Sequence, residues 1–160
     1  MARWGEPRFT RDVDATIVTD FGEELETLHA LAAVFSSRDP NPEARAQLGR
    51  LVLLTAANGI DLDVSLAAFP FELEVLERAT DWEVGQGVQL RTCSAEDLVI
   101  YKLIAARPID IHDVESIVVR QSGRLDVYRI RLWAGRFAEI TERPELLDPF
   151  ENVLKTVASG

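Results

Sequence analysis

EPRFTRDVDATIVTD, residues 6–20, sets Asp12 and Asp14 two positions apart in a run that otherwise reads as a strand. Val13, Ala15 and Ile17 alternate with Asp12, Asp14 and Thr16, the period-two pattern of a half-buried strand with its apolar residues inward. Side chains two apart project to the same side, roughly 7 Å apart at Cα, so both carboxylates can reach toward one point. Like charges this close repel and raise each other's pKa unless a cation holds them ionised. A divalent metal is such a partner, and so is plain solvent at a sheet edge; the D-x-D pair by itself leaves both readings open.

A second run supplies what a metal cage would need. RLVLLTAANGIDLDVSLAAF, residues 50–69, offers two strands about an Asn58-Gly59 hairpin signal. In the second strand Ile60, Leu62, Val64 and Leu66 face one way and Asp61, Asp63 and Ser65 the other. Asp61 and Asp63 are both candidates for a third carboxylate. Two ions about 4 Å apart on such a cage activate an attacking hydroxyl and neutralise a leaving pyrophosphate.

Around these strands, residues 22–37 are expected to form a helix with Leu25, Leu28, Leu31, Ala32 and Phe35 inward. Residues 38–49 hold a turn and a short helix, residues 71–79 an amphipathic helix, and residues 82–93 a short hairpin at the sheet edge. Ser94 caps a buried helix over 94–107, with Asp97 in the reciprocal capping position. Asp110 caps the next helix, in which Ile111, Val114, Ile117 and Val118 point inward until Gly123 ends it. Residues 125–140 and 149–158 complete a helical C-terminal half. The expected fold class is α+β: a small mixed sheet with helices packed on one face, in a single domain of residues 1–160 whose residues 1–93 carry the sheet.

Composition narrows the function classes. The 160-residue chain carries a formal charge of −10, with a pI near 4.7, which excludes a broad basic surface for DNA. No apolar run is long enough to span a bilayer, and MARWGEPRFT has no apolar signal region, so a cytoplasmic location with no membrane partner is expected. Cys93 is the single cysteine, which excludes a multi-cysteine zinc site and is assigned to packing. His29 and His112 lack ligand spacing and are given structural roles. Lys102 is one of two lysines and lies in the centre of DLVIYKLIAA, where an ammonium needs an anion: a substrate phosphate, or Asp97 or Asp113.

Three segments together resemble the AbiEii-type nucleotidyltransferases, members of the DNA polymerase β-like superfamily that include type IV toxin–antitoxin toxins. WGEPRFTRDVDATI (4–17) is similar to the G-x-x-R-x-T stretch leading into a D-h-D strand, where h is apolar. GIDLDVSLAAFPFE (59–72) is similar to the third-carboxylate strand followed by L-x-x-x-P-F-E. SAEDLVIYKLIAARPIDIHDVESIV (94–118) is similar to the family's E-D-L-x-x-x-K-L-x-A-x-R-x-x-D-x-x-D helix pair.

The resemblance implies that Asp12, Asp14 and Asp63 coordinate Mg²⁺ or Mn²⁺, with Asp63 rather than Asp61 as the third ligand. It further implies that Lys102 and Arg107 contact the triphosphate of an NTP, with Asp110 and Asp113 supporting Lys102 or orienting that side and Arg11, beside Arg8, steering phosphate. The implied reaction transfers a nucleoside monophosphate to a hydroxyl of RNA or protein, with an antitoxin or a second copy of the chain as partner. A catalytically impaired, complex-forming module is the other implied role, and a metal-dependent phosphohydrolase is a third use of the same carboxylates. The family also has a Gly-Gly or Gly-Ser helix start about 15 residues before D-h-D, whereas eleven residues precede Asp12 here, so weak NTP binding by this chain is expected.

Overall fold

A computed structural model describes residues 1–7, 10 and 12–158. The chain divides into two compact units, residues 9–77 and residues 1–8 with 78–160. The architecture is α+β, as expected, with a small mixed sheet.

In the first unit the strands are β1 (Asp12–Val18), β2 (Ser36–Ser37), β3 (Leu51–Thr55) and β4 (Asp61–Ala67), and the helices α1 (Glu24–Ala32), α2 (Pro42–Gly49) and α3 (Pro70–Arg78). The sheet order is β1-β4-β3-β2, with β1 parallel to β4 and the other pairs antiparallel. Because β4 alternates, one sheet face is apolar: Leu62, Val64 and Leu66 join Val52 and Leu54 of β3, Leu28 of α1 and Ala46 of α2 in one core.

Several expectations fail here for identifiable reasons. Val13 is 50% and Ile17 37% exposed, because β1 is the edge strand, and only Ala15 of the three apolar positions packs on the core. The helix expected to reach residue 37 ends at Ala32, and Ser36–Ser37 turns into a strand against β3. Phe35 still reaches the core, while Ala32 is exposed. Ile60 is exposed in the loop before β4 rather than inward on the strand. The hairpin itself forms, with Gly59 at φ +81 and the Ala56 N–H donating to the Ile60 carbonyl at 2.8 Å.

Arg50 fastens the two parallel strands to each other and to α1. Its Nε donates to the Leu66 carbonyl at 2.8 Å, its Nη2 donates to the Thr19 carbonyl just past β1, and its Nη1 pairs with Glu24 of α1. Both side chains of that pair are 10% exposed.

In the second unit β5 (Thr80–Gly85) and β6 (Val88–Thr92) form a two-stranded sheet of their own, not an edge of the larger one as expected. Then come α4 (Ala95–Ala105), α5 (Pro108–Arg120), α6 (Val127–Ile140), a 3₁₀ turn (Pro144–Leu147) and α7 (Asp148–Ala158). Val99, Leu103, Ile117, Ile130 and Phe150 are fully buried among these helices. The first residues are tied in: Trp4 Nε1 donates to the Cys93 carbonyl at 2.8 Å, and Gln121 Nε2 to the Trp4 carbonyl at 2.9 Å. Burial pushes the Cys93 thiol up to about 11, in keeping with a packing role. Both histidines are solvent-exposed. No helix among the described residues is long and apolar enough to cross a membrane.

Removing the Arg50 side chain leaves Glu24 buried without its cation, so Arg50→Ala should lower unfolding stability by about 3 kcal/mol in urea. Arg50→Gly, which suits the left-handed backbone at this residue (φ 48), should remain destabilising too. Arg131→Ala, at an exposed pair with Glu151, should scarcely change stability.

Candidate functional site

The parallel register of β1 on β4 decides where the aspartates go. Asp12 lies opposite Asp61, Asp14 opposite Asp63 and Thr16 opposite Ser65. Partners in a parallel pair share a face, so the four carboxylates form a two-by-two array on the face opposite Leu62, Val64 and Leu66. Asp12 and Asp14 are exposed, and Asp61 and Asp63 are half-buried. The structure thus brings Asp12, Asp14 and Asp63 onto neighbouring positions and adds Asp61 beside them.

The Thr55 hydroxyl donates to Asp61 Oδ1 at 2.8 Å. Arg38 follows β2, and its backbone N–H donates to the Leu53 carbonyl at 3.1 Å, which carries its side chain onto the aspartate face. The Arg38 Nη2 bonds Asp63 Oδ1, and its Nε lies 3.8 Å from Asp61 Oδ1. Sequence reasoning missed this residue, since the two-residue strand before it has no periodicity and Arg38 falls in the stretch 38–49 expected as a turn and short helix. Arg11 and Arg8 lie outside the described residues.

The donor set suits a hard divalent cation: it consists of carboxylate oxygens, and the register spaces them across two hydrogen-bonded strands. The side chains are not already gathered into a cage, for no group of three metal-type donors is formed among the described residues, and Asp63 is turned to Arg38.

In the other compact unit, Lys102, Arg107, Asp110 and Asp113 come together. Lys102 Nζ lies 2.9 Å from Asp110 Oδ1 and 3.0 Å from Asp113 Oδ2, so buried carboxylates of the fold itself meet its need for an anion. Asp97, the other partner weighed for Lys102, is completely buried and accepts from Arg129 Nε at 2.8 Å and from the Ser94 hydroxyl at 2.8 Å. The Ser94 cap is as expected, its Oγ accepting from the Asp97 N–H. Asp110 is not the cap of α5: the helix starts at Pro108, Arg107 is the N-cap, and Asp110 at the third position accepts from the Arg107 backbone N–H at 3.2 Å. Proline at the first helical position moved the start forward, since its fixed φ and missing N–H suit that place. Arg107 is exposed, and its Nε donates to Asp110 Oδ2 at 2.5 Å.

The sequence matches, over residues 5–148, the family described as nucleotidyltransferase of unknown function (DUF6036). The chain belongs to that family. Membership makes nucleotidyl transfer the general activity against which the aspartate array is read; the finer AbiEii-type likeness is not distinguished by this match. No curated protein matches the nucleotidyltransferase chain.

Burial alone would push the Asp110 carboxyl up, but hydrogen bonds and charge from Arg107 and Lys102 outweigh it and hold the group at about 2. The folded carboxyl therefore ionises more readily than the unfolded one. The stabilisation is complete above about pH 4 and is lost as pH falls toward 2, an effect on the order of 2 kcal/mol. Urea unfolding followed across this range should show that loss in the native chain, and Asp110→Asn should flatten it.

Proposed function

We propose that this family member is a metal-dependent nucleotidyltransferase that moves a nucleoside monophosphate from an NTP to a hydroxyl of RNA or protein, with Asp12, Asp14 and Asp63 holding Mg²⁺ or Mn²⁺. The observation that carries this reading is the register: the D-x-D of β1 lies beside β4 with Asp14 opposite Asp63, on the face the core does not use. A bound ion would supply a Lewis acid that lowers the pKa of the acceptor hydroxyl and neutralises charge on the leaving pyrophosphate.

The chain's own part is to hold the carboxylates at fixed spacing. β1 and β4 set Asp14 and Asp63 on neighbouring strands, about 4.8 Å apart in the hydrogen-bonding direction. Asp61 stands beside them, oriented by the Thr55 hydroxyl. The resemblance adds Lys102 and Arg107 as phosphate contacts. Lys102 carries less of the reading than Asp14, because two buried carboxylates already hold its ammonium. The acidic chain, at −10, favours a protein or a compact RNA end over long duplex nucleic acid as acceptor. An AbiEii-like toxin paired with an antitoxin is the physiological setting in keeping with the sequence resemblance.

One observation favours a second reading, a nucleotidyltransferase-like module that binds without turnover: Arg38 occupies an Asp63 oxygen. The two readings separate in one experiment. Incubated with Mg²⁺ and labelled NTPs in cell extract, the enzyme should label a macromolecule and release pyrophosphate, with Asp14→Asn and Asp63→Asn each reducing labelling at least about a hundredfold. Mn²⁺ should also raise the melting temperature of the native chain and do so far less in Asp14→Asn. A manganese response without label points to the binding module; free phosphate instead of pyrophosphate points to a hydrolase; no carboxylate-dependent response to the ion overturns the proposed site.

A further inference from the structure

Arg38 is placed to do more than neutralise its surroundings. Its guanidinium takes an Asp63 oxygen and reaches toward Asp61 Oδ1 at 3.8 Å, two of the four carboxylates in the array. Its position is fixed from behind: the backbone N–H is tied to the Leu53 carbonyl at 3.1 Å, and Nε approaches the Leu54 carbonyl at 3.4 Å. The side chain is 32% exposed, so the ion pair is open to solvent and exchange rather than locked in the core. A cation on a carboxylate oxygen and a divalent ion on the same oxygen exclude each other. We propose that Arg38 is a positioning residue that competes with the divalent ion for Asp63: it holds the carboxylate in place, lowers the site's intrinsic affinity for metal, and gives way when the ion binds.

This inference rests on the metal-site reading above and extends it to a residue outside the aspartate set. It has a reciprocal consequence. An anion that draws the guanidinium away, as a polyphosphate does through paired hydrogen bonds to arginine, strengthens metal binding at Asp63, and the ion in turn frees Arg38 for the anion. The pair thereby favours joint loading of ion and nucleotide over loading of the ion alone.

The test is Mn²⁺ affinity of the intact chain by titration calorimetry, with circular dichroism checking that each variant is folded. Arg38→Ala should bind Mn²⁺ at least about threefold more tightly than the native chain, because the competing cation is gone. Arg38→Lys should restore near-native affinity, and Asp63→Asn should lose most of the binding. If Arg38→Ala does not fold, Arg38→Gln, which keeps an N–H donor for the Leu54 carbonyl without the charge, carries the same expectation. Equal or weaker Mn²⁺ binding in the uncharged variant, with Asp63→Asn still defective, overturns the role of Arg38 and leaves the carboxylate site standing. Native-like binding in both Asp14→Asn and Asp63→Asn overturns the site and the inference together.

Discussion

The parallel register of β1 on β4 is the constraint from which the rest of the first unit follows, and Arg50 is the residue that pins it. Parallel strands have no hairpin to fix their alignment, so something else must prevent slippage. Arg50 bonds the carbonyls of Thr19 and Leu66, one from each strand end, and pairs with Glu24 at the start of α1. Its backbone is left-handed at φ 48, a conformation usually given to glycine. The cost is roughly 1–2 kcal/mol for a residue with a side chain. A guanidinium satisfying two carbonyls and a carboxylate with little solvent access more than offsets it.

A slip of one residue would do two things at once. It would turn Ala15 away from the core and would remove Asp14 from its place beside Asp63. Core packing and site geometry are therefore specified by the same alignment, and the apolar side of β4 enforces it. Leu62, Val64 and Leu66 have to face α1 and α2, so Asp61, Asp63 and Ser65 have to face the other way. The aspartate array is the obverse of the core.

What could be read from the sequence was periodicity and the local chemistry of turns and caps. Alternation in β4, the Asn58-Gly59 loop, the Ser94 cap and the apolar stripes of α4 and α5 were all legible, and so was the pairing of D-x-D with a second acidic strand. Edge position was not, since alternation says which residues share a face but not whether that face is covered; Val13 and Ile17 are exposed for this reason. Nor was β2, two residues long, or Arg38 beyond it. The partners of Lys102 were half legible. The need for an anion followed from its apolar neighbours, with Asp97 or Asp113 as local candidates, and the resemblance put both Asp110 and Asp113 in support of it. The joint grip of Asp110 and Asp113 depends on how α5 packs on α4, which no local pattern encodes.

The protein handles its carboxylates in two contrasting ways, and the contrast bears on function. Asp110 and Asp113 are buried, and two cations from adjacent helix ends, Lys102 and Arg107, lie against them. This network stabilises a helix start, with Lys102 held between two buried carboxylates and the exposed Arg107 joining Asp110 from the solvent side. The aspartates of β1 and β4 are exposed or half-buried on a sheet face, where aspartate is a poor strand former and like charges stand opposite one another. On the proposed reading a divalent ion would turn that repulsion into attraction, with Arg38 at Asp63 supplying part of the compensating charge until it binds.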